Sequence, residues 1–357
     1  MGMPVEKIDL QALAENAGAR SVRGIAMLIL DDKVTGVHKY ARKRNVKETY
    51  SAENKKIISK CFIKYNVKNM KIVCYDSTNE ETLQTALDKI NGIKFNYLAC
   101  PTATSETDKK LVGDFIKEQR KQNNILVHAI LNGYAGDDEG VINFPHTNIT
   151  VDGEELTGAE YCVDVACMCA TGAINKSMTN RQAQGVTAVS EIEDEDAAID
   201  AGQLILTYDN DLEYFVFARG VNSKTTIAEG EKEQLKKIRI VEILDMIRDD
   251  AKLEWKANYK GKKENTFDER QNLCTKYNLY LNTLSRKKYL NNATEYKSYC
   301  EQNIEAMKNY LEDERGVDVS ELADNEILTH DYGEHVFLKW HVYPVDVMED
   351  LELIINY

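Results

Sequence analysis

Short apolar runs alternate with amphipathic stretches through the first half of the chain, and this alternation restricts the folds open to it. Four apolar runs are typical of buried strands: residues 24–30, 70–75, 95–100 and 124–130. Between them, residues 49–65, 79–90 and 104–122 carry apolar side chains at helical spacing. Strands that alternate with helices favour a parallel sheet covered by helices. We therefore predict the α/β fold class, with a mostly parallel sheet and flanking helices in the N-terminal domain.

The second half of the chain mixes helices with short strands. Residues 204–208 and 214–218 predict a hairpin through a turn rich in Asp and Asn, and residues 156–173 predict a helix with small residues on one face. Residues 232–255 and 267–284 carry helical patterns, and the first of these is apolar on more than one side. The part of the chain after residue 200 is therefore expected to form a second, α+β domain.

The end of the sequence has the two-residue period of β-strands. Apolar residues alternate through 336–342, Pro344 interrupts the pattern, and an acidic break at Glu349 and Asp350 precedes a second run. Such a strand either docks in its own sheet or leaves the body and completes a neighbour's sheet. Residues 1–19 carry enough aliphatic side chains to form a second extended arm. The predicted arm residues are Val5, Ile8, Leu10, Leu351, Leu353 and Ile355.

Composition excludes several classes of protein. The formal net charge of the 357 residues is −14, which argues against a general nucleic-acid binder or a binder of anionic membranes. No run is long and apolar enough to insert into a membrane, and no signal segment is evident, so synthesis in a cytoplasm is expected. Identical copies of so acidic a chain would repel one another unless charges pair locally.

Candidate catalytic and metal-binding residues are few. The first strand ends in Asp31 and Asp32 where a dinucleotide site needs glycines, and residues 259–263 lack the glycines of a P-loop. Asp32, His128 and Ser177 stand in the order of one serine-protease triad and define an alternative, an α/β hydrolase-like enzyme. The eight cysteines lack paired spacing for zinc and are typical of reduced, buried thiols. We predict no cofactor and no metal.

Several strings together resemble the contractile tail sheath family of phages and R-type bacteriocins. They are residues 141–144, 156–172 and 177–179, then 218–226 (ARGVNSKTT), residues 237–247 followed by 259–262 and Asn265, and the closing residues 342–355. Each string is short, but all of them occur in the family's order. The first part of the chain resembles the family by pattern only.

The resemblance implies a structural subunit and not an enzyme. Such subunits polymerise as stacked hexameric rings in a helical sheath, exchange terminal strands, and contract to drive an inner tube through a cell envelope. The implied partners are further copies of the chain, the inner tail tube protein, and baseplate and tail terminator proteins. The resemblance implies that the protein is made in the bacterial host cytoplasm and is then assembled into a phage tail or a bacteriocin particle.

The resemblance also implies a division of the chain. We expect an N-terminal arm at 1–20, an α/β outer domain at 21–200, an inner, tube-facing α+β domain at 201–340, and a C-terminal arm strand at 341–357. Candidates for the tube-facing contact are Lys232, Lys236, Arg239, Lys260 and Lys262.

Overall fold

The computed structural model describes residues 20–172 and 174–356. Their contacts group them into two compact units. The sheet unit comprises residues 22–245 and 347–356, and the C-terminal unit comprises residues 20–21 and 246–346. The domain bounds predicted near residues 20, 200 and 340 stay a prediction.

A six-stranded sheet forms the centre of the sheet unit. Its spatial order is β2-β3-β1-β4-β5-β6, and all neighbouring strands run parallel except the edge strand β2, which is antiparallel to β3. The predicted α/β class with a mostly parallel sheet is therefore confirmed. The strands are β1 (Ile25–Asp31), β2 (Val37–Tyr40), β3 (Asn69–Tyr75), β4 (Tyr97–Ala99), β5 (His128–Asn132) and β6 (Val141–Phe144).

Helices cover both faces of this sheet. They are α1 (Ala52–Ile63), α2 (Leu83–Ile90), α3 (Glu106–Lys121) and α4 (Gly158–Gly172). Alternate residues of β1 belong to different cores: Leu28 packs in a cluster with residues of α1 and α4, while Met27 packs in a cluster with residues of α2 and α3. Since both faces of the strand are covered, its sequence is continuously apolar. Each such buried side chain contributes about 1.5–3 kcal/mol relative to exposure.

Smaller sheets and one short helix complete the sheet unit. Three antiparallel strands stand in the order β8-β7-β9, and β10 pairs with β11 as the predicted hairpin. These elements are β7 (Asn148–Val151), β8 (Glu154–Thr157), β9 (Val186–Val189), α5 (Glu195–Asp200), β10 (Leu206–Asp209) and β11 (Tyr214–Phe217).

A long helix, α6 (Ile238–Glu254), crosses the boundary between the residue ranges of the two units. Its predicted start at residue 232 is wrong, because Glu233–Lys236 forms a separate 3-10 turn. At its other end the chain continues into a π-helical turn, Trp255–Tyr259.

The C-terminal unit combines helices with one two-stranded sheet. Its elements are α7 (Phe267–Arg286), β12 (Tyr299–Gln302), α8 (Ile304–Arg315), α9 (Asp324–Thr329) and β13 (Leu338–His341). Strands β12 and β13 are antiparallel, and Trp340 of β13 packs on Tyr277 of α7 with ring centroids 4.6 Å apart. A small core of Met307, Leu311 and Ile327 lies between α8 and α9.

Candidate functional site

The backbone that follows β13 is fixed within the C-terminal unit as far as residue 345. Leu290 and Pro344 form an antiparallel bridge, in which Asn291 N donates to Tyr343 O (2.8 Å) and Val345 N donates to Tyr289 O (3.0 Å). The bridge uses the peptide groups on either side of Pro344. The missing N–H of proline therefore costs no hydrogen bond at this point.

Four residues further on, Glu349 is clasped by side chains of the sheet unit. Its carboxylate accepts from Thr179 Oγ1 (2.6 Å) and from Lys237 Nζ (2.5 Å), and lies 3.5 Å from Arg219 Nε. Arg219 Nη2 also contacts Asp350 at 2.5 Å. We call these five residues the anchor. Burial favours the neutral acid, but the hydrogen bonds and the cations outweigh it and lower the pKa of Glu349.

The anchor partners come from distant parts of the sequence. Each nevertheless lies in one of the strings on which the family resemblance rests: Thr179 in 177–179, Arg219 in 218–226, Lys237 in 237–247, and Glu349 in 342–355. The family resemblance therefore picked out the segments that contact one another in the anchor. It did not predict the contacts between them.

After the anchor, the apolar side chains of the chain face solvent. Leu351 is 87% exposed, Leu353 68%, Ile354 78% and Ile355 75%. Residues 351–356 belong to no strand and form no backbone hydrogen bond with the part of the chain that the structure describes. We call residues 351–356 the arm. The sequence left two alternatives for this last segment, docking in its own sheet or pairing with a neighbour. In the structure, residues 351–356 are not docked in a sheet of their own chain.

The predicted N-terminal arm residues Val5, Ile8 and Leu10 lie outside the described residues. Their role stays a prediction.

The candidate tube-facing cations fall in both units. In the sheet unit, Lys236 pairs with Glu233 at 2.6 Å, while Arg239 is 9% exposed and its Nε donates to Ile174 O at 3.2 Å. In the C-terminal unit, Lys260 is exposed and Lys262 donates to Ala257 O. Lys232 is exposed and stands just before the 3-10 turn. Burial leaves Arg239 the least surface for a partner.

The three residues of the hydrolase alternative each serve another contact. His128 is buried, stacks on Tyr97 and lies 3.0 Å from Asp245 Oδ2. Asp32 accepts hydrogen bonds from Ser51 N and Asn54 Nδ2, both at 2.8 Å. The Ser177 hydroxyl accepts from Thr179 N at 3.1 Å. In a catalytic triad, His128 would have to be hydrogen-bonded to both Asp32 and Ser177. It is bonded to neither, so the hydrolase alternative is not supported.

The cysteines and acidic residues form no cation site in the described chain. All eight cysteines are buried and unbridged, and burial raises the pKa of Cys169 to about 12, which disfavours the thiolate that binds metals. No group of three or more metal-ligating side chains is found among residues 20–172 and 174–356. No helix in the same ranges is long and apolar enough to cross a membrane.

Two family models match the chain one after the other. Residues 76–223 match the phage tail sheath protein central domain, and residues 231–356 match the phage tail sheath C-terminal domain. Together the two models span most of the sequence.

Individual relatives agree with the models. The tail sheath protein of Clostridium phage phiCD119 is 29% identical over 353 residues, which cover 97% of each chain. The crystal structure of the sheath tail protein from Desulfitobacterium hafniense has a TM-score of 0.66 and 17% identity, and covers 79% of this chain and 90% of its own. The contracted helical sheath of the anti-feeding prophage has a TM-score of 0.68 and 12% identity, and covers 100% and 99%. The chain belongs to the phage tail sheath family, whose members are structural subunits and not enzymes.

Proposed function

We propose that the arm leaves its own subunit and adds a strand to the sheet of a neighbouring copy, so that strand exchange links the subunits of a contractile sheath. The observation that carries this proposal is the exposure of four aliphatic side chains directly after an ion-paired anchor. Apolar surface of this kind marks a contact surface. In a strand, Leu351, Leu353 and Ile355 would share one face.

The two-stranded sheet β12–β13 of a neighbour is the acceptor we propose. A two-stranded sheet is of marginal stability by itself, and in the described chain each of these strands has a ladder partner on one side only. On the outer edge of β12, Cys300 N donates to Asn278 Oδ1 (2.7 Å) and Cys300 O accepts from Asn278 Nδ2 (2.9 Å). The outer edge of β13 is therefore the edge that offers N–H and C=O groups to an incoming strand. Trp340 of this sheet packs on Tyr277 of α7, which holds the sheet in place. An incoming strand would therefore not have to pay the entropy of ordering the sheet first.

The anchor would set where the arm departs. The side chain of Glu349 is 9% exposed and is held by three side chains, whereas Leu351, two residues later, is 87% exposed. Backbone ladder bonds do not depend on the identity of side chains, so exchanged strands could keep subunits connected while the bodies move. A head-to-tail contact of this type also propagates a helix instead of closing a dimer.

We also propose a wider assembly, by analogy with the family. The structural relatives include a contracted sheath and baseplate structures of the anti-feeding prophage. We extend to this chain hexameric rings stacked around an inner tube, contraction, and partners that comprise the tube, baseplate and tail terminator proteins. Synthesis in the bacterial host cytoplasm before incorporation into a phage tail or bacteriocin particle belongs to the same proposal.

Electron microscopy of three purified chains tests the arm: wild type, a variant that ends after Asp350, and the matched variant Ile63→Asp. Ile63 is 70% exposed at the end of α1, so its replacement removes an exposed aliphatic side chain outside the arm. Wild type and Ile63→Asp should form long hollow tubes, with the inner tube protein supplied as template if they do not polymerise alone. The truncated chain should remain folded single particles.

Normal tubes from the truncated chain would contradict strand exchange. Uniform single particles from wild type, even with the inner tube protein present, would contradict the whole assembly proposal.

A further inference from the structure

A basic pocket of about 500 Å³ opens on the sheet unit, in a chain whose acidic residues outnumber its basic ones by 59 to 45. Among the described residues that line it, five side chains are cationic and none is acidic. The cations are Arg23, Lys64, Lys68, Lys176 and Arg181. So local a reversal of the overall charge indicates a pocket that receives an anion.

Three of these cations are not neutralised within the described chain. Lys64 pairs with Asp152 at 2.9 Å, and Arg23 pairs with Glu242. Lys68, Lys176 and Arg181 form no salt bridge with any described residue, and Arg181 donates only to Met168 O and the sulfur of Met178. Lys68 and Lys176 are exposed, so a carboxylate from outside can reach them.

An acidic segment of the same chain has the complementary charge. Residues 191–196 read EIEDED, and all five of their carboxylates are on exposed residues. Asp194 caps α5 by accepting from Ala197 N, and none of the five forms a salt bridge with the described chain. Several unpaired carboxylates in one short segment match a pocket with several unpaired cations.

The segment and the pocket lie at opposite ends of β9. At the pocket end, Gln182 and Gln184 line the pocket, and Asp152 bonds both Gly185 O and Lys64. At the other end, Ser190 is fixed by its backbone N–H to Asn148 O (2.9 Å) before the acidic residues begin. The strand between them spans about 10 Å at 3.3 Å per residue. Hence the segment leads away from the pocket of its own chain.

We propose that the basic pocket of one copy receives the acidic segment 191–196 of a second copy. Since donor and acceptor are different surfaces, the contact is head-to-tail and repeats from copy to copy. This inference rests on the proposed sheath function and names the two surfaces that form one subunit contact. The contact provides the local charge pairing that an assembly of acidic chains requires.

Charge reversal and charge exchange test the contact. The pocket variant is Lys68→Glu with Lys176→Glu, and the segment variant is Glu193→Lys with Glu195→Lys. The exchange variant carries all four changes. Lys55→Glu with Lys56→Glu, on exposed positions of α1, is the control that changes net charge as the pocket variant does. The readout is the fraction of protein that sediments as tubes.

Each reversal should lower the sedimented fraction by about tenfold or more, since like charges meet at the contact, and the exchange variant should restore it. At 0.15 M sodium chloride, where repulsion between whole subunits is largely screened, the control should assemble like wild type. The inference is overturned if the pocket variant assembles as well as the control, or if the exchange variant is no better than the single reversals.

Peptide binding separates this inference from the function it rests on. If wild type forms no tubes, the sheath proposal fails, but a fluorescent peptide of residues 189–198 still reports on the pocket. It should bind wild type at least about tenfold more tightly than the pocket variant at low salt, whereas equal affinities overturn the contact. Binding of a peptide with the same composition in scrambled order would assign the pocket to general anion binding, and would equally overturn it.

Discussion

At the scale of residues, the sheet unit depends on a buried ionic cluster around Asp245. This carboxylate is 1% exposed, accepts from Arg120 Nη1 (2.7 Å) and Nη2 (3.2 Å), and lies 3.0 Å from His128 Nε2. Burial favours the neutral acid, but Arg120 and His128 outweigh it and hold the pKa of Asp245 well below its usual range. The histidine that suggested a catalytic base is therefore a structural contact.

Replacing Asp245 with Asn should lower the free energy of unfolding by about 3 kcal/mol, because the buried Arg120 cation would keep only its longer contact with Glu139 (Nη2 to Oε1, 3.4 Å). The matched change, Asp114→Asn, removes an exposed pair with Lys110 on α3 and should leave the free energy of unfolding nearly unchanged. Urea unfolding followed by circular dichroism measures both. Equal midpoints for the two variants would show that the buried cluster contributes no more than a surface pair.

At the scale of elements, the sequence predicted what periodicity controls. The long apolar runs gave β1, β3, β4 and β5, because strands buried on both faces must be continuously apolar. The edge strand β2 was not predicted, because it has only four residues and includes the exposed Lys39, which leaves no long apolar run to recognise. Helical spacing predicts residues 233–236 (EQLK) as part of α6, but they form a separate 3-10 turn.

The candidate site was predictable only in part, for a different reason. The alternation of apolar residues predicted a strand at 351–356, and the acidic break drew attention to Glu349. Neither pattern predicts which residues these segments contact. Thr179, Arg219 and Lys237 are more than 100 positions away from Glu349 in the sequence. Only the fold brings them to one place. A local pattern carries no information on contacts that the chain closes over such distances.

Proline substitutions test how the arm pairs. An edge strand turns the N–H groups of alternate residues toward its partner, so proline should disrupt it at one of two adjacent positions. We expect either Leu353→Pro or Ile354→Pro to reduce tube formation strongly compared with alanine at the same position. The melting temperature of the unassembled subunit should stay unchanged, since both side chains are exposed in the single chain.

Loss of tubes with both prolines would indicate an arm paired on both sides. Tubes from both, as abundant as from the alanine controls, would contradict ladder pairing at these positions.

At the scale of the whole molecule, two electrostatic effects oppose each other. The net charge of −14 makes the bodies of adjacent copies repel over long distances, whereas the pocket and the acidic segment would attract over a few ångströms. The Debye length is about 30 Å at 0.01 M salt, about 8 Å at 0.15 M and about 3 Å at 1 M. Moderate salt therefore screens the repulsion between bodies well before it weakens pairs in contact.

This difference in range predicts a minimum in the critical concentration for tube assembly as sodium chloride increases. The concentration should fall between 0.01 and 0.15 M, where repulsion is screened, and rise again toward 1 M, where the pairs are screened as well. Sedimentation across a salt series measures it. Lys55→Glu with Lys56→Glu should steepen the first part of the curve, because that chain is more negative without a change in the pocket. A critical concentration that rises from the lowest salt onward would mean that repulsion between whole subunits does not limit assembly.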